Sequence, residues 1–344
     1  LLGFFFHAAL KEFVGYLQKN QLSWGELEES QVLEILKLVL EELTPRLQGE
    51  ILLSSSRYRY LATRLEKALQ RALLILSRQA RESSFRPEGL EVGFGGDGSL
   101  PPLVIEAPGQ AKMELHGRID RLDVAHDGDQ CYLSIIDYKT KAYPLHLSDF
   151  YYGLNLQLLA YLLAAVKGYR AKLGIEPIPA GVFYFGITSE PKTFSNPLPA
   201  EKAEELLYQR YRFEGLLLEK EELVRLMDKS IEEKSLFFPV GFKKDGEFTR
   251  TSSTVKYEDF KLLFRYLEDM MARLFAQIAA GIIDVSPYYK GGSTPCGYCK
   301  YKTFCRFEGG VPEGGQYRFL PRRDNAEIME EIRSLYREGD EGSE

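Results

Sequence analysis

Two short stretches hold the residues best suited to chemistry. Gly117-Arg-Ile-Asp-Arg-Leu-Asp123 and Ile135-Ile-Asp-Tyr-Lys139 each read as a β-strand carrying an acid near its end. Asp137 and Lys139 stand two apart, so on a strand they share a face while Tyr138 turns the other way, toward packing. Asp120 lies at the matching end of the neighbouring strand, within reach of Asp137. Two carboxylates held that close repel each other unless a cation sits between them. Hard divalent ions prefer oxygen ligands and keep exchangeable waters, which makes Mg²⁺ or Mn²⁺ the natural occupant. Such an ion polarises a phosphoryl oxygen and lowers the pKa of a water, while Lys139 can orient that water and offset developing negative charge. The chemistry in view is metal-dependent phosphodiester cleavage. Taken alone, Asp-x-Lys is a weak signal, because an acid at a strand end is often a turn residue and a lysine two later is often a solvated edge.

The elements that must position these groups follow from periodicity. Residues 4–20 repeat apolar side chains at helical spacing (Phe6, Leu10, Phe13, Val14, Leu17), and 25–45 and 57–83 also read as helices, with Leu33, Ile35, Leu38 and Val39 on the face of the first. A Gly/Pro-rich stretch from Pro87 to Pro102 breaks the pattern and contains a short strand at 88–95. Residues 112–125 and 131–139 read as a hairpin turning at Asp127-Gly128. The spacing predicts one helix over 148–170, with Leu154, Leu158, Tyr161 and Leu162 in a stripe, and a strand at 180–187. Residues 200–232 and 253–281 read as helices around a polar stretch near 241–250, and an amphipathic helix at roughly 324–337 precedes a disordered tail. This order of elements predicts an α/β fold with helical insertions.

Composition sets the frame. The chain has 344 residues, 44% apolar and 12% aromatic, enough for a large core. No apolar run is long enough to span a membrane, and no secretory signal is visible. Residue 1 is Leu inside an apolar helical pattern, which suggests a piece of a longer protein. The net charge of −6, from 44 basic and 50 acidic residues, argues against non-specific coating of DNA but not against a nuclease, whose acids hold metal. Lys112, Arg118, Arg121, Lys139 and Lys141 gather near the motifs, as a solvated edge or as a local contact to DNA. No G-x-x-x-x-G-K-[ST] loop is present to support ATP hydrolysis.

Other residues keep company with the acids. His7 follows Gly3 by one helical turn; a lone histidine is more often a satisfied core residue than a ligand. Gln157 and Tyr161 stack on one helix face. Of four cysteines, Cys296, Cys299 and Cys305 lie within ten residues, which points to a metal or cluster site in a reducing cytoplasm rather than to disulfides. Three thiolates suit zinc or an iron–sulfur cluster. Cys131 shares strand parity with Asp137 but lies roughly 20 Å away along the extended chain, and reads as a packed core thiol.

Taken in order, Gly3-Phe-Phe-Phe-His7, Gly117-Arg-Ile-Asp-Arg-Leu-Asp123, Ile136-Asp-Tyr-Lys139 and Gln157-Leu-Leu-Ala-Tyr161 resemble the RecB-type branch of the PD-(D/E)XK nucleases. The Cys296-x2-Cys299-x5-Cys305 tail and Tyr317-Arg-Phe-Leu resemble the AddB subunits of AddAB helicase–nucleases. The resemblance implies a mixed central β-sheet flanked by helices, helical insertions and a C-terminal Cys-rich staple. It implies that His7, Asp120, Asp137 and the Tyr138 carbonyl ligate the catalytic Mg²⁺ or Mn²⁺, that Lys139 is catalytic, and that Gln157 and Tyr161 contact DNA or shape the site. Arg118, Arg121 and Lys141 are the expected DNA contacts. It also implies a structural [4Fe–4S] cluster on the three clustered cysteines. The family's fourth cysteine precedes the Gly-x-x-x-His helix, so the cluster is either incomplete here or completed from outside the chain. The implied role is exonucleolytic processing of single-stranded DNA ends for recombinational repair, beside an AddA-type helicase subunit. An inactive scaffold that binds DNA or a partner, and a stand-alone RecB-like nuclease of the CRISPR-associated type, are the alternatives. The expected organisation is a nuclease core over 1–190 with a helical insertion at about 22–85, a helical continuation over 191–285, and a cysteine segment with the final helix over 286–344.

Overall fold

A computed structural model of the chain describes residues 2–46, 55–106, 112–141, 143–187, 197, 199–309 and 315–340. The chain divides into two compact units, one of Leu1–Leu103, His116–Leu145 and Leu158–Phe260, the other of Val104–Leu115, His146–Gln157 and Lys261–Glu344.

The first unit begins with three amphipathic helices, α1 (Leu2–Lys19), α2 (Glu29–Arg46) and α3 (Ser56–Glu82). Phe6, Leu10, Phe13, Val14 and Leu17 of α1 are buried, as the spacing predicts. On α2 the inward stripe is Val32, Ile35, Leu36, Val39 and Leu40, while Leu33 and Leu38 turn to solvent. Between α1 and α2 the ring of Trp24 packs on Phe13, with centroids 5.5 Å apart.

Strands β1 (Arg86–Phe94), β2 (Leu103–Glu106), β3 (Lys112–Leu115), β4 (Gly117–Asp127) and β5 (Gln130–Lys139) follow, then helices α4 (Leu147–Tyr151) and α5 (Gln157–Leu173), β6 (Ile178–Gly186), α6 (Ala200–Arg210), β7 (Glu214–Leu218), α7 (Glu221–Met227) and β8 (Thr254–Val255). Six of these strands form one mixed sheet in the order β1-β4-β5-β6-β7-β8. The β4–β5 hairpin turns at Gly128, where φ is +56°, a conformation glycine adopts without steric cost. β5 and β6 run parallel, which requires a crossover, and α5 lies within that connection. Both strands are buried along nearly their whole length, so they read as continuous apolar runs rather than alternating ones.

Three expectations are corrected. The strand read from residue 112 is two strands: Lys112–Leu115 pairs with β2, and the hairpin strand starts at Gly117. The single helix over 148–170 is broken at Gly153, which takes φ +75°, so Leu154 is not on the stripe of α5. The helix over 200–232 contains β7. Gly215 explains the last. A Cβ there would stand 1.8 Å from the Val182 carbonyl oxygen, so only glycine lets β7 approach β6 this closely.

In the second unit, β2 pairs with β3, and β9 (Tyr288–Tyr289) pairs in parallel with β10 (Arg318–Phe319), reached after α8 (Tyr257–Ala279) and α9 (Lys302–Cys305). Tyr151 of α4 stacks on Tyr266 of α8 at 5.3 Å, and Tyr266 donates to the Tyr151 carbonyl at 2.7 Å. The final helix, α10 (Asn325–Asp340), supplies Asn325 Oδ1 as acceptor for the Leu147 N–H at 2.9 Å. The expected disordered tail beyond it lies outside the described residues. Among the described residues no helix is long and apolar enough to cross a membrane.

Candidate active site

Strand alternation brings the acids together. The last paired rung of the hairpin is Arg121–Ile136, and Asp120 and Asp137 stand one residue beyond it on adjacent strands. Asp120 Oδ2 accepts the Tyr138 N–H at 2.8 Å, which fixes the carboxylate against the start of the Tyr138 peptide. Asp137 is 1% exposed, and its Oδ2 lies 2.6 Å from Lys139 Nζ. That contact is an ion pair off the hydrogen-bond axis, so Oδ2 has no aligned donor. The Lys139 ammonium also sits 5.4 Å above the ring of Tyr184, the residue across from Asp137 on β6.

The electrostatics match a site built for a cation. Burial pushes the Asp120 carboxyl up to about 6, the charge of Asp137 pushes the same way, and His7 and the Tyr138 N–H oppose both. Burial also raises Asp137, against the pull of Lys139. The fold thus holds two carboxylates where ionising both is unfavourable in the absence of compensating positive charge.

Helix α1 delivers His7 to this pocket. Its Nδ1 lies 3.5 Å from Asp120 Oδ1, and the side chain is 32% exposed, so it is not a sealed core histidine. The same nitrogen lies 3.7 Å from Oε1 of Glu91, a residue that sequence reasoning missed. Glu91 sits on β1 between the Leu90–Arg121 and Val92–Ile119 pairs, directly across from Asp120. Ligand atoms of His7, Glu91 and Asp120 all fall within 4.8 Å of one another. Nothing in the sequence marked Glu91, because its strand lies in a Gly/Pro-rich stretch and its partner is far along the chain.

The basic residues part company. Arg118 is 65% exposed and pairs with Glu91 Oε2 at 3.3 Å, at the rim of the pocket. Lys141 is exposed. Arg121 is not a surface contact, and the expectation that it touches DNA is corrected. It is 1% exposed, on the face of β4 opposite Asp120, forking onto Asp123 with Nε–Oδ1 at 2.6 Å and Nη2–Oδ2 at 2.7 Å. Its guanidinium lies 5.1 Å from the Trp24 ring and 3.5 Å from the Tyr138 hydroxyl. Burial alone would lower its pKa, but Asp123 outweighs burial and holds the charge in place.

Gln157 opens α5 and Tyr161 follows one turn later, its ring meeting Phe94 edge-on at 5.8 Å. Cys131 is a buried free thiol, as expected, with its pKa raised by burial. Cys296 is half-buried, and Cys299 and Cys305 are exposed; all three are free. Nearby, Tyr289, Phe307, Tyr317 and Phe319 form a ring cluster with centroids 4.9 to 6.3 Å apart.

The carboxylate pocket, with its hard oxygen donors, one imidazole and an unaligned buried oxygen, fits a divalent cation. The cysteines are different: three thiolates do not complete the four-thiolate set of a [4Fe–4S] cluster, and their sulfurs do not form a close group among the described residues.

Compared with known proteins, residues 1–306 match the model of the PD-(D/E)XK nuclease superfamily. The chain belongs to that superfamily. It is 40% identical over 307 residues to the AddB subunit of the ATP-dependent helicase/deoxyribonuclease of Desulforamulus reducens, covering 89% of this chain and 27% of that protein. The like-named proteins of Desulforudis audaxviator and Bacillus subtilis are 39% and 38% identical, over 93% and 96% of this chain. The chain therefore spans between a quarter and a third of the relatives it matches. In the nuclease sheet, Asp120, Asp137 and Lys139 stand together at the hairpin ends.

Proposed function

We propose that this chain is a metal-dependent deoxyribonuclease acting on single-stranded DNA ends, within a helicase–nuclease complex that prepares breaks for recombination. The observation that carries the reading is the convergence of Asp120, Asp137 and Lys139 at adjacent strand ends, with Lys139 Nζ 2.6 Å from Asp137. Support for the setting comes from relatives named as one subunit of an ATP-dependent helicase/deoxyribonuclease. A helicase subunit of the AddA type is the partner this reading implies, in the cytoplasm where DNA is repaired.

His7, Asp120, Asp137 and the Tyr138 carbonyl would hold Mg²⁺ or Mn²⁺, which when bound supplies Lewis-acid polarisation of a phosphodiester and acidifies a water. The Tyr138 N–H fixes the Asp120 carboxylate through Oδ2 and leaves Oδ1 facing His7. Lys139 presents its ammonium beside Asp137, where it orients the attacking water and stabilises negative charge growing on the phosphate. Arg118 and Lys141, both exposed, attract the backbone electrostatically. Gln157 and Tyr161 position the strand. Cys296, Cys299 and Cys305 form a structural staple whose cluster needs a fourth ligand from elsewhere.

The test is cleavage of end-labelled single-stranded DNA with Mg²⁺, comparing the chain with its Asp137→Ala form. Cleavage is expected to fall to background in the variant and in EDTA. Undiminished cleavage by Asp137→Ala refutes the site, and cleavage that survives EDTA refutes the metal dependence.

A further inference from the structure

Glu91 is the one carboxylate in the pocket that no motif accounts for. It reaches the site from a third strand, directly across the ladder from Asp120, and its side chain is 18% exposed. Its two oxygens serve different neighbours. Oε1 faces His7 Nδ1 at 3.7 Å, inside the group whose ligand atoms lie within 4.8 Å of each other, while Oε2 pairs with Arg118 at 3.3 Å. The backbone of Glu91 is held at φ +53°, a left-handed conformation that a residue with a long side chain seldom adopts. A glycine would suit that backbone, yet a glutamate occupies it, with its carboxylate aimed at His7 and Asp120.

We propose that Glu91 is a further ligand for the divalent cation, sharing it with His7 and Asp120. The proposal rests on the metal-dependent reading of the site. Its chemistry is that of a hard ion gathering carboxylate oxygens from three adjacent strands of one sheet rather than from two. The Arg118 pairing gives it a further consequence. Arg118 and the cation compete for the same carboxylate, so a cation that draws on Glu91 loosens Arg118 and leaves its guanidinium available to a DNA phosphate. Cation and DNA then favour each other's binding.

The experiment is Mn²⁺ titration of the 344-residue chain, following the EPR signal of the free ion, for the unsubstituted chain, Glu91→Gln, Glu91→Gly, Asp120→Asn, Arg118→Ala and Glu88→Gln. Mn²⁺ is a hard ion that disfavours the thiolates elsewhere in the chain. Both Glu91 variants are expected to weaken the site about tenfold or more, the scale of removing a metal-site partner. Glu91→Gly keeps the left-handed backbone comfortable, so a loss of affinity with an unchanged melting temperature separates ligation from misfolding. Glu88→Gln, on the same strand, is expected to bind as the parent does, and Arg118→Ala equally well or more tightly. Parent-like affinity in both Glu91 variants, while Asp120→Asn loses binding, overturns the role of Glu91 and leaves the metal site standing. A loss in Arg118→Ala equal to that in Glu91→Gln also overturns it, since the ion pair rather than ligation would then be the cause. No saturable binding by the parent overturns both readings.

Discussion

The acids of the site should destabilise the protein that carries them, and Asp120→Asn measures by how much. Asp120 takes a proton at about 6 in the fold against an ordinary 3.8, chiefly because it is buried and secondly because Asp137 is close. Each tenfold in proton affinity is worth about 1.4 kcal/mol, so the gap amounts to about 3 kcal/mol. The side chain is only 14% exposed, so solvent screening removes little of this. The sign follows from proton counting. Between pH 3.8 and about 6 the folded chain binds a proton that the unfolded chain has released, so stability falls as pH rises through this window and stays low above it. Asparagine is neutral throughout and can still accept the Tyr138 N–H, so it removes the penalty and keeps the hydrogen bond. In EDTA at pH 8 the variant should be more stable than the parent by about 3 kcal/mol, and at pH 5 by about half that, as read from denaturant midpoints. Mg²⁺ should reverse the trend: at a hundredfold excess over its Kd the parent gains about 2.7 kcal/mol and the variant gains little, so the gap closes. A variant less stable than the parent at pH 8 without metal, or a gap that ignores pH, would refute the claim that Asp120 is held under electrostatic strain.

The remaining predictions concern the cationic side chains. Lys139→Gln should slow single-turnover cleavage about 10²- to 10³-fold while the stabilisation by Mg²⁺ persists, because Lys139 acts on the developing charge and not on the cation; an unchanged rate excludes that role. Arg118→Ala should reduce the salt dependence of DNA binding by about one counterion without altering stability. Arg121→Ala should do the reverse, leaving Asp123 buried and unpaired at a cost of about 3–5 kcal/mol in unfolding free energy; equal unfolding midpoints for the two variants would show that Arg121 is not the buried partner described.

What the sequence revealed, it revealed through alternation. Asp137 and Lys139 share parity, Tyr138 opposes them, and the strands obey that rule. Parity also contained the answer for Arg121, which neighbours Asp120 and therefore faces away from it, two residues from Asp123 on its own side of β4. Grouping it with the surface bases ignored that constraint and counted positive charge near a motif as contact with DNA. Glu91 was a different kind of miss. It reaches Asp120 only through the β1–β4 ladder, and no local pattern announces which residue of a glycine-rich strand will lie across from an acid on β4. The missed β7 was ambiguous for a third reason. A short Leu run is compatible with helix or strand, and only its burial beside β6, made close by Gly215, decides between them.

The buried pair behind the site shows why both faces of β4 must be read together. Asp120 and Arg121 are consecutive and face opposite ways, and Tyr138 meets them both, donating its N–H to Asp120 and placing its hydroxyl 3.5 Å from Arg121. Arg121 lies against Trp24, and Trp24 packs on Phe13 of the helix that carries His7. A chain of contacts therefore runs from the histidine helix, through the arginine, to the peptide that fixes Asp120. An ion pair sealed from water adds little net stability, since desolvating both charges offsets their attraction. What the forked Arg121–Asp123 contact does supply is direction, because two parallel hydrogen bonds fix a guanidinium plane far more tightly than apolar packing would. Substituting the pair with apolar residues of similar volume could therefore keep the fold while loosening the angle between α1 and the hairpin, and with it the distance between His7 and Asp120.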